Sequence, residues 1–274
     1  MNSDKIEDYK KLATQIRVDV LKMIYKAKSA HIGASFSMAD ILAVLYGGIM
    51  KVNPSDPKWE DRDRYIQSKG HAAAGLYAVL AEKGFFPRDW LETYYQDGGH
   101  LMGHVWHKVP GVDVSSGALG HGLSMACGMA INGKYKKKQY RVFVMLSDGE
   151  CDEGSVWEAI MFAPQHKLDN LVAIVDYNKL QALGTVKDVL DLAPLADKWR
   201  AFNWSVKEVD GHNYKEIDDA LSSAPFEQGK PSCIIANTVK GKGVSYMENK
   251  VEWHYKSPDE EQLKQAFSEL GVTE

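Results

Sequence analysis

The chain has 274 residues, 45% of them hydrophobic and 26% charged, with a formal net charge of −4. That length and composition suit a large buried core, and the mildly acidic balance gives no support to binding of nucleic acid or of an anionic membrane. The three cysteines, Cys127, Cys151 and Cys233, lack metal-ligand spacing and point to a reducing compartment; with no apolar signal core or membrane-length run, a cytoplasmic protein is expected.

No linker or internal repeat divides the chain. One unit over 1–274 is expected, with 255–274 as a C-terminal tail or helix. A helix is predicted over 6–28, where Leu12, Ile16, Val20, Met23 and Ile24 share a face. His31 follows in a turn. A second, apolar helix is expected over 38–50, with Ser37 as its N-cap. After a polar loop at 53–63, a short strand at 64–67 leads through Ser68-Lys69-Gly70-His71 into a helix over 72–83. The free N–H groups of such a start favour an anion, although the same residues also read as a plain turn. A short helix is predicted at 90–95.

Residues 98–121 form a long loop rich in glycine and histidine. Loops of that length in a compact unit are functional or disordered, and the aliphatic and aromatic content argues against disorder. A helix of small residues follows at 123–135. Two short apolar runs, 142–146 and 171–175, show no polar alternation, as strands buried on both faces of a parallel sheet do. Between them 154–167 is helical, with Val156, Ile160, Phe162 and Ala163 forming its apolar stripe. Strands at 205–209 and 232–238 flank a helix at 214–222, and a terminal helix is expected at 258–270. The fold class is α/β: three α/β/α layers around a mainly parallel sheet.

Both central strands end in polar residues, Ser147-Asp148-Gly149-Glu150 and Asp176-Tyr177-Asn178, at the edge where such sheets bind ligands. Asp148 offers a carboxylate oxygen, Asn178 an amide oxygen, and Gly149 a close backbone approach to a phosphate. Magnesium suits such a set, with ligand phosphates completing its octahedron. Taken singly, Asp-Gly is an ordinary turn former, and His31, Leu119 and His254 have equally plain surface or core readings.

The motifs in order resemble the N-terminal, diphosphate-binding half of transketolase, within the thiamine diphosphate enzymes. Residues 29–40 match S-x-H-x-G-x-x-x-S-M-x-D, Gly70-His71 matches a Gly-His turn, and 117–122 match G-x-L-G-x-G. Asp148-Gly149 and Asn178 match Gly-Asp-Gly followed by Asn, with Ser147 in place of the first glycine. Glu153 and Glu158 match E-G-x-x-x-E. The similarity runs from about Tyr9 to about His254.

The resemblance implies a thiamine diphosphate-binding fold and a set of roles. Asp148, the Asn178 side chain and the Leu180 carbonyl would hold Mg2+, with Ca2+ or Mn2+ able to substitute. His71 and Gly149 would contact the diphosphate, with Gly117 and Leu119 against the thiamine rings. His31, His104 and His254 would line the substrate channel and shuttle protons, with His100 and His107 as alternatives in the long loop, where the family's Gly-His-Pro is Gly103-His104-Val105. Glu153 and Glu158 would face an interface between chains, where two close carboxylates can share a proton as a relay, although they also read as acids of a solvated first helical turn. The family's catalytic glutamate and phosphate-gripping arginines belong to a pyrimidine-binding domain that no stretch here resembles.

The expected protein is therefore the N-terminal subunit of a two-chain transketolase. It would move a two-carbon ketol unit between sugar phosphates, as in pentose phosphate metabolism, and only with a C-terminal partner subunit in a two-plus-two heterotetramer. The alternatives are the first subunit of another two-chain thiamine diphosphate enzyme (a 2-oxo acid dehydrogenase component or a decarboxylase) or a non-catalytic module of the same fold.

Overall fold

The computed structural model describes residues 3–272. At its centre lies a sheet of β1 (Arg64–Gln67), β2 (Val142–Ser147), β3 (Leu171–Tyr177), β4 (Ser205–Asp210) and β5 (Ser232–Asn237). The order is β1-β2-β3-β5-β4, and every neighbouring pair is parallel. β2 is buried along its whole length because its side chains alternate between two cores. Phe143 and Met145 pack on one face with Val172, Ile174 and Ile234. Val142, Val144 and Leu146 pack on the other with Leu171, Ala173 and Val175. β4, at the edge, instead carries exposed Lys207 and Glu208, charges that discourage pairing with another sheet.

Helices cover both faces. The first core takes α1 (Ser3–Ala27), α2 (Ile32–Ser37), α3 (Ala39–Val44) and α4 (Ala73–Glu82). The second takes α5 (Gly122–Tyr135) and α6 (Gly154–Gln165). Two further helices, α7 (Val186–Val189) and α8 (Leu195–Ala201), also lie under the second core. The chain then returns through α9 (Tyr214–Ser222) and α10 (Glu260–Glu269) on the first face. The steps β2 to β3 and β3 to β4 run one way across the sheet, and β4 to β5 runs back with α9 on the opposite face. Changing face together with direction is what right-handed crossovers require.

The departures from expectation are local. Ser37 caps no helix: it ends α2, and its hydroxyl donates to Asp176 Oδ2 at 2.6 Å. A buried carboxylate outcompetes the helix end for that donor. The helix expected over 38–50 is α3 followed by a π turn, Leu45–Ile49, whose glycines lie against Tyr9. The short helix at 90–95 is a 3-10 turn, Arg88–Thr93. Sequence spacing predicts neither α7 nor α8. α10 begins with a capping box between Asp259 and Gln262 and buries Ala266 and Phe267. Residues 273 and 274 of the expected tail lie outside those described. Among the described residues no helix is long and apolar enough to cross a membrane.

Candidate active site

Parallel pairing sets the ends of β2 and β3 side by side, with Ser147 opposite Asp176 at the last rung. The chain beyond both ends opens into one cavity of about 280 Å3, lined by Asp148, Gly149, Asn178 and Leu180. His31, His71, Gly117, Leu119 and His254 line it as well. Asp148 Oδ1 accepts the Gly149 N–H at 2.7 Å and Oδ2 accepts the Lys179 N–H at 2.6 Å, which ties the first strand end to the second. Asn178 Oδ1 accepts the Leu180 N–H at 3.1 Å. Burial, and then the neighbouring Asp176 carboxylate, push Asp148 up to about 6.

His71 enters the cavity from the 3-10 turn Gly70–Ala72. Gly70 is needed there, since a Cβ would lie 2.4 Å from the Ser116 backbone. His31 precedes α2 in a left-handed conformation, φ 73°, and its N–H donates to the His254 carbonyl at 2.8 Å. The ring of His31 stands 5.1 Å from those of His71 and His254 and 6.1 Å from that of His104. Burial, then His104 and Lys240, lower His31 to about 4. Burial, then Lys240 and His31, lower His254 to about 3. Burial, then Lys69, hold His71 well below its usual range. These three imidazoles are therefore neutral at pH 7, each with one N–H and one lone pair, and the His254 lone pair on Nδ1 accepts from Lys240 at 2.8 Å.

Lys240 reaches into the same space. Its Nζ donates to the Leu180 carbonyl at 2.9 Å and to His254 Nδ1 at 2.8 Å. Burial, then the Lys69 charge, lower it to about 8. Beneath the cavity a fully buried ion pair joins Lys69 to Asp176. Ser37 and Thr238 donate to the same carboxylate, and Lys69 Nζ also donates to Ala34 O at 3.0 Å. Burial alone would raise Asp176, but the Lys69 ammonium and these donors hold it below the usual carboxylate range.

Thiamine diphosphate and Mg2+ fit the residues present. Asp148, Asn178 and Leu180 offer three hard oxygens, and Asp148 is the sole carboxylate among the lining residues, so an anionic ligand would have to supply the remaining charge. Lys240, which has no carboxylate partner among the described residues, gives the cationic charge a diphosphate needs. In a larger depression of about 500 Å3 between α1 and α10, four of the lining charges pair with one another, Lys26 with Glu92 and Arg88 with Asp19.

A family model described as "Transketolase, thiamine diphosphate binding domain" matches residues 8–274. The chain belongs to the transketolase family. It is 44% identical over 255 residues to one of the subunits of the apulose-4-phosphate transketolase of Phocaeicola vulgatus, covering 93% of this chain and 91% of that protein. It is 43% identical over 269 residues to a 6-deoxy-6-sulfo-D-fructose transketolase subunit of a Clostridium species, covering 98% of each. Among solved structures, the transketolase of Leishmania mexicana superposes with a TM-score of 0.91 at 31% identity, over 96% of this chain but 41% of that one. The transketolase of Campylobacter jejuni does so with a TM-score of 0.91 at 32% identity, over 99% of this chain and 43% of that one.

Within this transketolase-family chain, the expected site residues fall in three places. Asp148, Gly149, Asn178, Leu180, His31, His71, Gly117, Leu119 and His254 meet in the cavity. His104 stands at its rim, exposed, with its ring against Gly117. His100 instead stacks on Trp90 at 4.0 Å, and His107 bonds Ser115 at 2.8 Å, so His104 is the histidine of the long loop beside His31. Glu153 and Glu158 lie outside the cavity on the exposed side of α6, where Glu158 borders a groove with Gly128 and Phe162.

Lys240, Gln181 and Tyr255 are not singled out by the sequence, and Glu150 and Asp176, named there at the strand ends, receive no role of their own. Glu150 is fully buried, bonded by Ser68 and by the Gly120 N–H at 2.9 Å, and so anchors the loop that carries Gly117 and Leu119. Its adjacency to Asp148-Gly149 is the signal that could have found it. Lys240 sits three residues beyond β5, at the ligand-binding edge, and that position is its signal.

Proposed function

We propose that this chain is the diphosphate-binding subunit of a two-chain transketolase. It would transfer a two-carbon ketol unit from a ketose phosphate to an aldose phosphate, using thiamine diphosphate and Mg2+. The observation that carries this reading is one cavity joining the oxygens of Asp148, Asn178 and Leu180 to the rings of His31, His71 and His254. Near-full-length relatives are named as transketolase subunits, while the chain spans under half of the solved transketolases. The subunit names of those relatives favour a separate partner carrying the pyrimidine-binding side, in an assembly of two copies of each chain. The exposed face of α6 with Glu153, Glu158 and Phe162 suits part of that interface. A cytoplasmic setting in sugar phosphate metabolism, of the pentose phosphate kind, fits three free, buried cysteines.

In this reading Asp148, Asn178 and the Leu180 carbonyl hold the metal ion. His71, Gly149 and Lys240 hold the diphosphate, and Gly117 and Leu119 support the thiamine rings. The bound cofactor supplies the carbanion and the electron sink. His254, whose Nδ1 accepts from Lys240, donates its remaining N–H to a sugar hydroxyl, and His31 moves a proton there, with His104 at the mouth. No observation favours a 2-oxo acid enzyme or a non-catalytic module.

The test is to produce the chain alone and with its pyrimidine-side partner, then assay ketol transfer between sugar phosphates. The complex is expected to turn over and the isolated chain to be inactive. Turnover by the pure chain contradicts the split enzyme. Pyruvate decarboxylation without ketol transfer by the complex contradicts the transketolase reading.

A further inference from the structure

We infer that Asp152 and Gln181 are positioning residues, a clamp that holds together the two strand ends supplying the metal and diphosphate ligands. The inference rests on the function proposed above. Asp152 closes the 3-10 turn Gly149–Asp152 after β2, and Gln181 follows Leu180 beyond β3. Gln181 Nε2 donates to Asp152 Oδ2 at 2.8 Å. On its way the Gln181 side chain lies across Gly149: a Cβ there would meet Gln181 Cγ at 3.1 Å and Cδ at 3.2 Å. One glutamine thus spans the glycine proposed for the diphosphate and reaches the far side of the opposing turn.

The segment it secures has few other anchors. Residues 180–185 form a tight hairpin, with a bridge between Leu180 and Thr185 and the Gln181 N–H donating to Gly184 O at 2.9 Å. Leu183 at the tip is 87% exposed, so packing contributes little. From the cavity side, Lys240 Nζ donates to Leu180 O at 2.9 Å and sits 3.4 Å from Gln181 O. Lys240 is also a cation that a diphosphate attracts. Once an anion engages it, the bond to Asp152 is the side-chain hydrogen bond that still ties this hairpin to the turn after β2; Asn178 with Leu180 and Thr185 with Asp188 are bonds within its own stretch of chain.

Charge gives the pair a second effect. Asp152 Oδ1 is buried without a hydrogen-bond partner, a costly arrangement for a carboxylate oxygen. Gln181 lines the cavity and Asp152 does not. The amide therefore separates an underpaired negative charge from the place where a diphosphate would sit. Removing the glutamine both frees the hairpin and uncovers that repulsion. An asparagine at 152 keeps an acceptor for Gln181 Nε2 and so preserves the clamp.

The experiment compares the full chain with Gln181→Ala, Asp152→Ala, Asp152→Asn and the double alanine variant, by two readouts. The first is amide hydrogen exchange at 179–185 in the ligand-free chain. The second is calorimetric titration with inorganic pyrophosphate plus Mg2+, and with thiamine diphosphate plus Mg2+. Each single alanine variant is expected to speed exchange in this segment; Gln181→Ala should weaken pyrophosphate binding about tenfold, the scale of one hydrogen bond to a charged group, and Asp152→Ala by less, because it also removes the repelling charge. The double variant should be no worse than the worse single one, because one bond is lost in each case, and Asp152→Asn should behave as wild type. Unchanged exchange, additive losses, or an asparagine variant as damaged as the alanine one would overturn the clamp. If the wild type binds neither ligand, the proposed function fails, and the exchange comparison still decides whether the pair holds the hairpin.

Discussion

Asp176→Asn removes one charge from the fully buried pair beneath the cavity while keeping the shape of the side chain. In the wild type the carboxylate accepts from Ser37, Thr238 and Lys69, and neither member of the ion pair is exposed at all. The asparagine retains one acceptor oxygen but leaves the Lys69 ammonium with the Ala34 carbonyl as its main partner. Stripping one partner from a buried pair costs about 3–5 kcal/mol, mostly from the charge left behind. For a chain of this size, at roughly 2–4 °C per kcal/mol, that is a melting temperature about 10 °C lower. Thermal and urea denaturation followed by circular dichroism measure it. Lys69→Met in the same background removes the orphaned charge and should recover most of the loss. A single variant within ~1 kcal/mol of wild type, or a double variant as unstable as the single, would refute the reasoning that the pair is a buried and mutually dependent unit.

Two further outcomes follow from the cavity. His31 and His254 titrate near 4 and 3 when folded, against 6.5 for the free side chain. Below pH 6.5 the unfolded chain binds protons that the folded one refuses, so the ligand-free protein should lose stability as pH falls from about 6.5 toward 4. The loss should be roughly 1–3 kcal/mol per half-buried ring, and His31→Gln should flatten that slope in urea titrations run at several pH values. Glu150→Ala frees Ser68 and the Gly120 N–H, at a cost of about 1–3 kcal/mol in stability. It should weaken thiamine diphosphate binding more than pyrophosphate binding, since the loop it anchors is proposed to meet the rings; calorimetry with both ligands checks this.

The central strands are readable because burial on both faces leaves only one residue class. The run from Val142 to Leu146 has no polar position because Phe143 and Val144 each face a core. The glycine-rich turns and Asp148 are readable because their chemistry is local. Long-range partners are not. Ser37 looks like a helix cap until folding brings Asp176, far along the chain, to within 2.6 Å of its hydroxyl. Lys240 is one cation in a lysine-rich stretch until β5 delivers it to the Leu180 carbonyl. α8 is short and mixes Trp199 with Asp197, Lys198 and Arg200, so periodicity alone does not separate it from a loop. Gln181 has no motif at all, and its bond to Asp152 exists only because β2 and β3 pair in this register.

In the proposed function, Asp148 and Asn178 hold a divalent ion against a diphosphate. Calorimetric titration of thiamine diphosphate into the complex of this chain with its partner, with Mg2+ and then with excess chelator, tests it for wild type and Asp148→Ala. The account predicts Mg2+-dependent binding by the wild type and none by a variant whose circular dichroism and melting show it still folded. Equal affinity in the two proteins, or wild-type binding indifferent to the chelator, would contradict it.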